Sequence, residues 1–161
     1  VSELRIGLGV DLHRFADEAG AGDRPLVLGG ATFAGERPLV GHSDADAIAH
    51  ALTDAILGAA GLGDIGSHFP DTAPAWRDAD SLELIAAAVA KVAAEGWQLV
   101  NADCTLVAER PQVAEARDEM VRRLSAAAGG PVHVKATRPE GLGSLGRIEG
   151  VACLAVALLK R

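Results

Sequence analysis

The chain has 161 residues, 15 of them basic and 22 acidic, for a formal net charge of -7. That length suits a single domain, 1–161, and a hydrophobic content of 49% excludes a disordered chain. The acidic balance excludes a general nucleic-acid binder, which needs a basic surface, but leaves room for a small phosphorylated ligand whose charge a metal offsets.

In chain order, Leu4–Leu12 mixes Leu, β-branched and Gly residues before Asp11, His13 and Arg14, and predicts a strand. Gly20–Gly22 reads as a loop, Pro25–Gly29 as a second strand, and Gly30–Gly41 as turn and short strand. Ser43 is the expected cap of a helix, with Asp46 as its capping-box partner. Ala45, Ala49, Leu52, Ile56 and Ala59 recur at helical spacing, and the helix should end near Gly58 or Gly61. Gly61–Arg77 reads as an ordered loop around a buried Phe69. Asp80 or Ser81 caps a second helix carrying Leu82, Ile85, Ala86, Val89 and Val92, which stops before Gly96. Gln98–Ala108 alternates as a strand with one phase shift. Pro111 is placed to open a helix running to about Ala128, ended by Gly129 and Gly130. Val132–Thr137 is a short strand, and Ile148–Leu159 fits either a strand or a helix.

Alternating strands and helices predict an α/β sandwich, one sheet with helices stacked on one face. Too few helices are present to cover both faces, so the other faces solvent or a partner chain. Aromatic residues are only 3%, so the core is built from small side chains that each bury little area, which also favours an oligomer. Cys104 and Cys153 lie in no CxxC pair and are expected as small buried hydrophobes. No secretory signal pattern opens the sequence, and the apolar run Val151–Leu159 is too short to span a bilayer. The expected location is cytoplasmic, or the plastid stroma for a processed plant chain, without membrane or nucleic-acid partners.

The polar residues form several constellations. Asp11 and His13, two apart on a strand, face one spot and suit a Zn²⁺ site. The third ligand comes from His42, His50, His68 or His133. His68 falls in a loop and reads as exposed, and His133, in a strand with Lys135 two places on, reads as an ordinary surface or core histidine. His50 lies between Asp46 and Asp54 at helical spacing, either on a solvated face or as a ligand with orienting carboxylates. His42-Ser43-Asp44-Ala45-Asp46 at a helix start offers backbone N–H groups to a phosphate, or is only a cap. Asp64 and Asp71 in the following loop suit sugar hydroxyls or Asx turns. Glu140, after Lys135-Ala136-Thr137, can hold Mg²⁺ through oxygen or simply be exposed.

Taken together, Asp11-Leu12-His13, His42 to Asp46, His50-Ala51-Leu52-Thr53-Asp54-Ala55, Leu62 to Gly66, Phe69-Pro70-Asp71-Thr72 and Gly146-Arg147-Ile148-Glu149-Gly150 resemble the 2-C-methyl-D-erythritol 2,4-cyclodiphosphate synthase family, in register over nearly the whole chain. The resemblance implies a homotrimer with active sites between adjacent subunits and a sheet face in the trimer core. It implies zinc, or another divalent transition metal, at Asp11, His13 and His50, and Mg²⁺ or Mn²⁺ at Glu140 bridging a substrate diphosphate. His42 and Ser43 would position the methylerythritol phosphate, and Asp71 its hydroxyls, beside Phe69. Asp64 and Gly66 would meet the ribose, and Ala108, Pro111, Gln112, Val113 and Ala114 the cytosine. Thr137 would contact the phosphates, and Arg147 belongs to the substrate-binding set. The implied reaction is an intramolecular phosphoryl transfer that closes a ring and releases CMP, with His42, Thr137 and Glu140 as catalytic residues.

The chain departs from the family at three places. Arg138 and Pro139 stand in a run of threonines before Glu140, Gln112 where lysine is common, and Ser144 where phenylalanine often lines the trimer axis. Arg138 is expected to lie in solvent or to pair with a nearby carboxylate. Two other readings fit the metal residues alone: a zinc phosphohydrolase using water, and a binding protein with a closed four-ligand structural zinc.

Overall fold

The computed structural model describes residues 3–17 and 24–161; the loop expected at Gly20–Gly22 lies outside them. The strands are β1 (Leu4–Arg14), β2 (Leu26–Leu28), β3 (Ala31–Phe33), β4 (Gln98–Val107), β5 (Val132–Thr137) and β6 (Gly150–Lys160). The helices are α1 (Ala47–Ala60), α2 (Ile65–His68), α3 (Ser81–Ala94), α4 (Arg117–Ala128) and α5 (Gly143–Gly146). One mixed sheet runs β1-β6-β4-β5, antiparallel except for the parallel β4–β5 pair, and β2–β3 is a separate hairpin. Helices α1 and α4 pack against one face of the sheet and α3 packs against both of them, giving the predicted two-layer sandwich. No helix among the described residues is long and apolar enough to cross a membrane.

Strand β1 and helix α1 approach each other backbone to backbone. Gly7 and Gly9 face the helix, and a Cβ there would lie 2.0 Å from the Ala55 carbonyl oxygen and 1.9 Å from that of Ala51. Only glycine permits so close a backbone approach. The helix presents its own small residues to the strand, Ala51, Ala55 and Ala59 at four-residue spacing. The opposite face of β1 carries Leu4, Ile6, Leu8, Val10 and Leu12, all exposed, and Leu154 and Val156 of β6 extend the strip. Ile6 is 73% exposed. Across β4 and β5 this outer face turns polar, with an Asp103–Lys135 ion pair. The shortage of helices thus leaves an apolar strip uncovered, as the sequence predicts.

The ambiguous C-terminal segment is strand β6, at the sheet's centre between β1 and β4. Cys153, Ala155, Ala157 and Leu159 point inward while Leu154 and Val156 point out, a period of two that no helix has. Cys104 and Cys153 are buried and free, as expected. The phase shift in β4 is a break in register between Leu99 and Asn101.

Four expectations are corrected. Ser43 does not cap α1; Asp46 does, accepting from the N–H groups of Ile48 and Ala49 at 3.1 Å each. Ala45 is not helical but left-handed, with φ 60°. Pro111 does not open a helix: Val113 enters the core and Ala116 N–H closes a turn on its carbonyl, so α4 begins only at Arg117. The expected loop after Gly61 also contains α2 and a 3₁₀ turn over Pro74–Trp76.

Gly9→Ala should destabilise the protein by about 2–3 kcal/mol in urea unfolding, because α1 must lift from β1. Gly58→Ala, at an α1 position with nothing near a new Cβ, should be neutral or stabilising by up to about 1 kcal/mol.

Candidate metal centre

Where β1 runs beneath the first turns of α1, three side chains converge. Asp11 and His13 alternate with exposed Leu12, so both point to the helix-covered side of the strand. His50 comes down from α1 one turn after its cap. Asp11 Oδ2 lies 2.7 Å from His13 Nδ1 and 3.6 Å from His50 Nδ1, and the two imidazole centroids are 5.2 Å apart. One ligand atom from each residue falls within 4.8 Å of the others, the arrangement of a metal-binding cluster.

Two atoms of this cluster test its fit to a metal. Asp11 Oδ2 and His13 Nδ1 are buried and close, yet not aligned for a hydrogen bond, so both lack a partner. Buried polar atoms left so are costly unless something else satisfies them. One carboxylate and two imidazoles suit Zn²⁺ or a similar divalent transition ion, and three side chains leave a fourth position open, as in catalytic sites. The residues therefore fit the metal.

The electrostatics agree. Burial pushes the Asp11 carboxyl up, but the adjacent His13 and His50 imidazoles overcome it and hold it at about 2. Burial pushes His50 down, but Asp11 beside it dominates, and the imidazole ends above its ordinary value of 6.5. Below that raised value a metal binding here must displace a proton from His50.

The cluster opens into a cavity of about 430 Å³ lined by His13, Gly41, His42, Ser43, His50, Ile65, Gly66, Phe69, Pro70, Asp71, Trp76 and Leu84. Seven residues predicted from sequence thus meet there: His13, His42, Ser43, His50, Gly66, Phe69 and Asp71. His42 Nε2 lies 3.3 Å from the Ala73 carbonyl, tying the segment to the loop opposite. The remaining candidates lie elsewhere. Asp64 is exposed and occupied as the cap of α2, accepting from Ser67 N–H at 2.8 Å. Gln112 lines a second cavity of about 540 Å³ with Glu109 and Arg138. Ala108, Pro111 and Val113 are buried beside it in sequence, while Ala114, Thr137 and Glu140 are exposed. Arg147 is exposed and pairs with Glu149 at 2.7 Å. The two sets of predicted residues therefore occupy different regions of one chain.

His50 joins Asp11 and His13 in the cluster, but its neighbouring carboxylates do other work. Asp46, fully buried, clamps the β2–β3 turn by accepting from Gly29 N–H at 2.8 Å and Gly30 N–H at 2.7 Å. Its grip on Ile48 and Ala49 also occupies the helix N–H groups that the sequence offered to a phosphate. Asp54 accepts from Ile65 N–H at 2.7 Å and anchors the loop carrying Gly66; burial raises its carboxyl. His68 is not free in a loop but half-buried in α2, 2.8 Å from the Leu62 carbonyl, whereas His133, expected at the surface or in the core, is exposed.

Several contributors escaped the sequence reading. Arg24 donates to the carbonyls of Gly41 and Ser43 and holds the His42 segment. Trp76 meets Phe69 edge-on at 5.0 Å and walls the cavity; a tryptophan in a chain with only two was the available signal. Glu109 accepts from Arg138 Nε at 3.1 Å and Gly141 N–H at 2.8 Å, on either side of Glu140. Arg138 is thus paired with a carboxylate, as expected. Glu140 itself is left-handed, with φ 53°.

Comparison with known proteins is consistent with this site. The YgbB family profile matches residues 4–160. A bifunctional enzyme IspD/IspF of Anaeromyxobacter sp. strain Fw109-5 is 54% identical over 98% of this chain, which spans only 40% of that relative. A 2-C-methyl-D-erythritol 2,4-cyclodiphosphate synthase of Geobacillus kaustophilus is 50% identical over 98% of this chain and 99% of its own length. A solved 2C-methyl-D-erythritol-2,4-cyclodiphosphate synthase in a CDP-bound form superposes with a TM-score of 0.84 at 39% identity, covering 96% of this chain and 99% of that one.

Zinc affinity should fall as pH drops through the raised His50 pKa, because proton and metal compete for one imidazole. In the metal-free protein the same shift has the opposite sign: His50 adds stability below 6.5 and loses it as pH rises through its folded pKa. The zinc-induced rise in melting temperature should therefore be larger above that pKa than below it, measured by calorimetry across the neutral range.

Proposed function

The chain belongs to the YgbB family, that of the 2-C-methyl-D-erythritol 2,4-cyclodiphosphate synthases, and on that premise we propose that it catalyses the family's cyclisation. The substrate is 4-diphosphocytidyl-2-C-methyl-D-erythritol 2-phosphate. An oxygen of the 2-phosphate attacks the β-phosphorus, the bond from that phosphorus to the bridging oxygen breaks, and CMP leaves with the electron pair. The product is the 2,4-cyclodiphosphate. No side chain has to act as nucleophile.

One observation carries this reading: a three-ligand cluster with two unpartnered buried atoms, opening into a cavity lined by polar and aromatic groups. Asp11, His13 and His50 hold the transition metal, for which zinc is our choice. Bound there, the metal supplies positive charge to neutralise a phosphate, which matters because one anion attacks another. His42 and Ser43, on the segment fixed by Arg24, orient the methylerythritol end, and Asp71 accepts from its hydroxyls. Phe69 and Trp76 give that end an apolar wall. Holding both ends of one flexible molecule in a single cavity supplies much of the rate through proximity.

The nucleotide end spans both regions. Asp64 and Gly66, beside the metal cavity, receive the ribose, and the second set, Ala108, Pro111, Gln112, Val113 and Ala114, the cytosine. Thr137 donates to the phosphates, Arg147 belongs to the same substrate-binding set, and Glu140 would hold Mg²⁺ or Mn²⁺, which would offset phosphate charge. A single exposed carboxylate plus phosphate oxygens is a usual Mg²⁺ arrangement. Because the two sets lie apart on one chain, each complete site joins neighbouring subunits of a homotrimer. The uncovered apolar strip of β1 and β6 supports burial at such an interface.

Phosphorus NMR on the diphosphocytidyl substrate tests the reaction: cyclic diphosphate with stoichiometric CMP is expected, whereas a ring-open hydrolysis product would identify a phosphohydrolase instead. Glu140→Gln should cut turnover at least about 100-fold with zinc content unchanged, as loss of a charge-stabilising group does. Arg138→Thr should change turnover less than about threefold, since Gly141 N–H keeps its bond to Glu109.

A further inference from the structure

The metal cluster has a second layer that fixes which nitrogen of His50 faces the metal. His50 Nε2 points away from Asp11 and lies 2.9 Å from Ser81 Oγ and 3.1 Å from Ser43 Oγ. Ser81 is fully buried at the start of α3, and its hydroxyl donates to Asp44 Oδ1. An ionised carboxylate only accepts, so the single Ser81 proton is committed to Asp44. Asp44 is itself fixed: its Oδ2 accepts from Ser81 N–H at 2.9 Å and its Oδ1 from Asp46 N–H at 3.1 Å. Ser81 Oγ can then only accept from His50, so the proton of the neutral imidazole sits on Nε2. That leaves the Nδ1 lone pair, the atom 3.6 Å from Asp11 Oδ2, as the ligand. Ser43 Oγ, which accepts from Ala45 N–H at 3.2 Å, lies beside the same nitrogen.

We propose that Asp44 and Ser81 are positioning residues for the metal: together they set the His50 tautomer and ring orientation so that Nδ1 is presented to the ion. Neither touches the metal or the substrate; both act through His50. The relay also links the site to two elements at once, because Ser81 belongs to α3 and Asp44 to the segment before α1. Carboxylates or hydroxyls behind a ligating histidine commonly strengthen metal binding in this way. The proposal rests on the reading of Asp11, His13 and His50 as the metal ligands.

The test is zinc affinity by chelator competition, with nitrogen-15 histidine spectra of the zinc-loaded protein. In the parent protein the spectra should show His50 coordinated through Nδ1 with a slowly exchanging Nε2 proton. Ser81→Ala should weaken zinc by about 10- to 100-fold and speed that exchange, while the metal-free melting temperature stays close to the parent's. Asp44→Asn keeps an acceptor for the Ser81 hydroxyl and should lose far less. If metal-free Ser81→Ala fails to fold, Asp44→Ala against Asp44→Asn makes the same comparison. Zinc affinity in Ser81→Ala within twofold of the parent, or coordination of His50 through Nε2, overturns the relay alone. A parent protein that binds no zinc overturns the metal centre beneath it.

Discussion

The structure depends on the seating of α1 against β1. Gly7 and Gly9 remove the side chains that would hold a helix at ordinary distance, and Ala51, Ala55 and Ala59 remove them from the other side. Backbone then meets backbone over two turns. The same strand face continues, two residues at a time, through Asp11 and His13, and the same helix continues toward its start through His50. The close approach therefore becomes a short reach for three ligands. At ordinary helix–sheet separation His50 would stand too far above the strand to share an ion with Asp11.

Four aspartates near the helix start show how environment assigns work to one side chain. Asp11 is half-buried between two imidazoles and held ionised, so it is suited to bind a cation. Asp46 is fully buried and spends its oxygens on four backbone N–H groups, joining the β2–β3 turn to α1. Asp44 bonds Ser81 and lies behind His50. Asp54 anchors the loop that borders the cavity. The cavity's walls and its metal residues are thus braced by carboxylates that take no part in the chemistry, and a loss at Asp46 or Asp54 would alter activity only through the fold.

Much of this was legible in the sequence. Period-two and helical spacing placed the main strands and helices, and alternation along β1 put Asp11 and His13 on one face. The start of α1 was misread because Ser43, Asp44 and Asp46 all suit a cap, and only tertiary contact with Gly29 and Gly30 selects Asp46. Pro111 was misread because burial of Val113 overrides a local preference for a helix start. His50 could be singled out among five histidines by its carboxylate neighbours, yet those neighbours proved structural; its true companion, Ser81, is 31 residues away. Local pattern carries no trace of such a partner. The pairing of Arg138 with Glu109, 29 residues apart, was foreseen in kind but not in identity.

The proposed chemistry needs a metal at the cluster that the β1–α1 contact brings together. Anomalous scattering at the zinc edge, on crystals of the zinc-loaded protein, measures this directly. A single strong peak bounded by Asp11, His13 and His50, with no fourth protein side chain, is the predicted result. A peak elsewhere, or a fourth side chain closing the coordination, would contradict it.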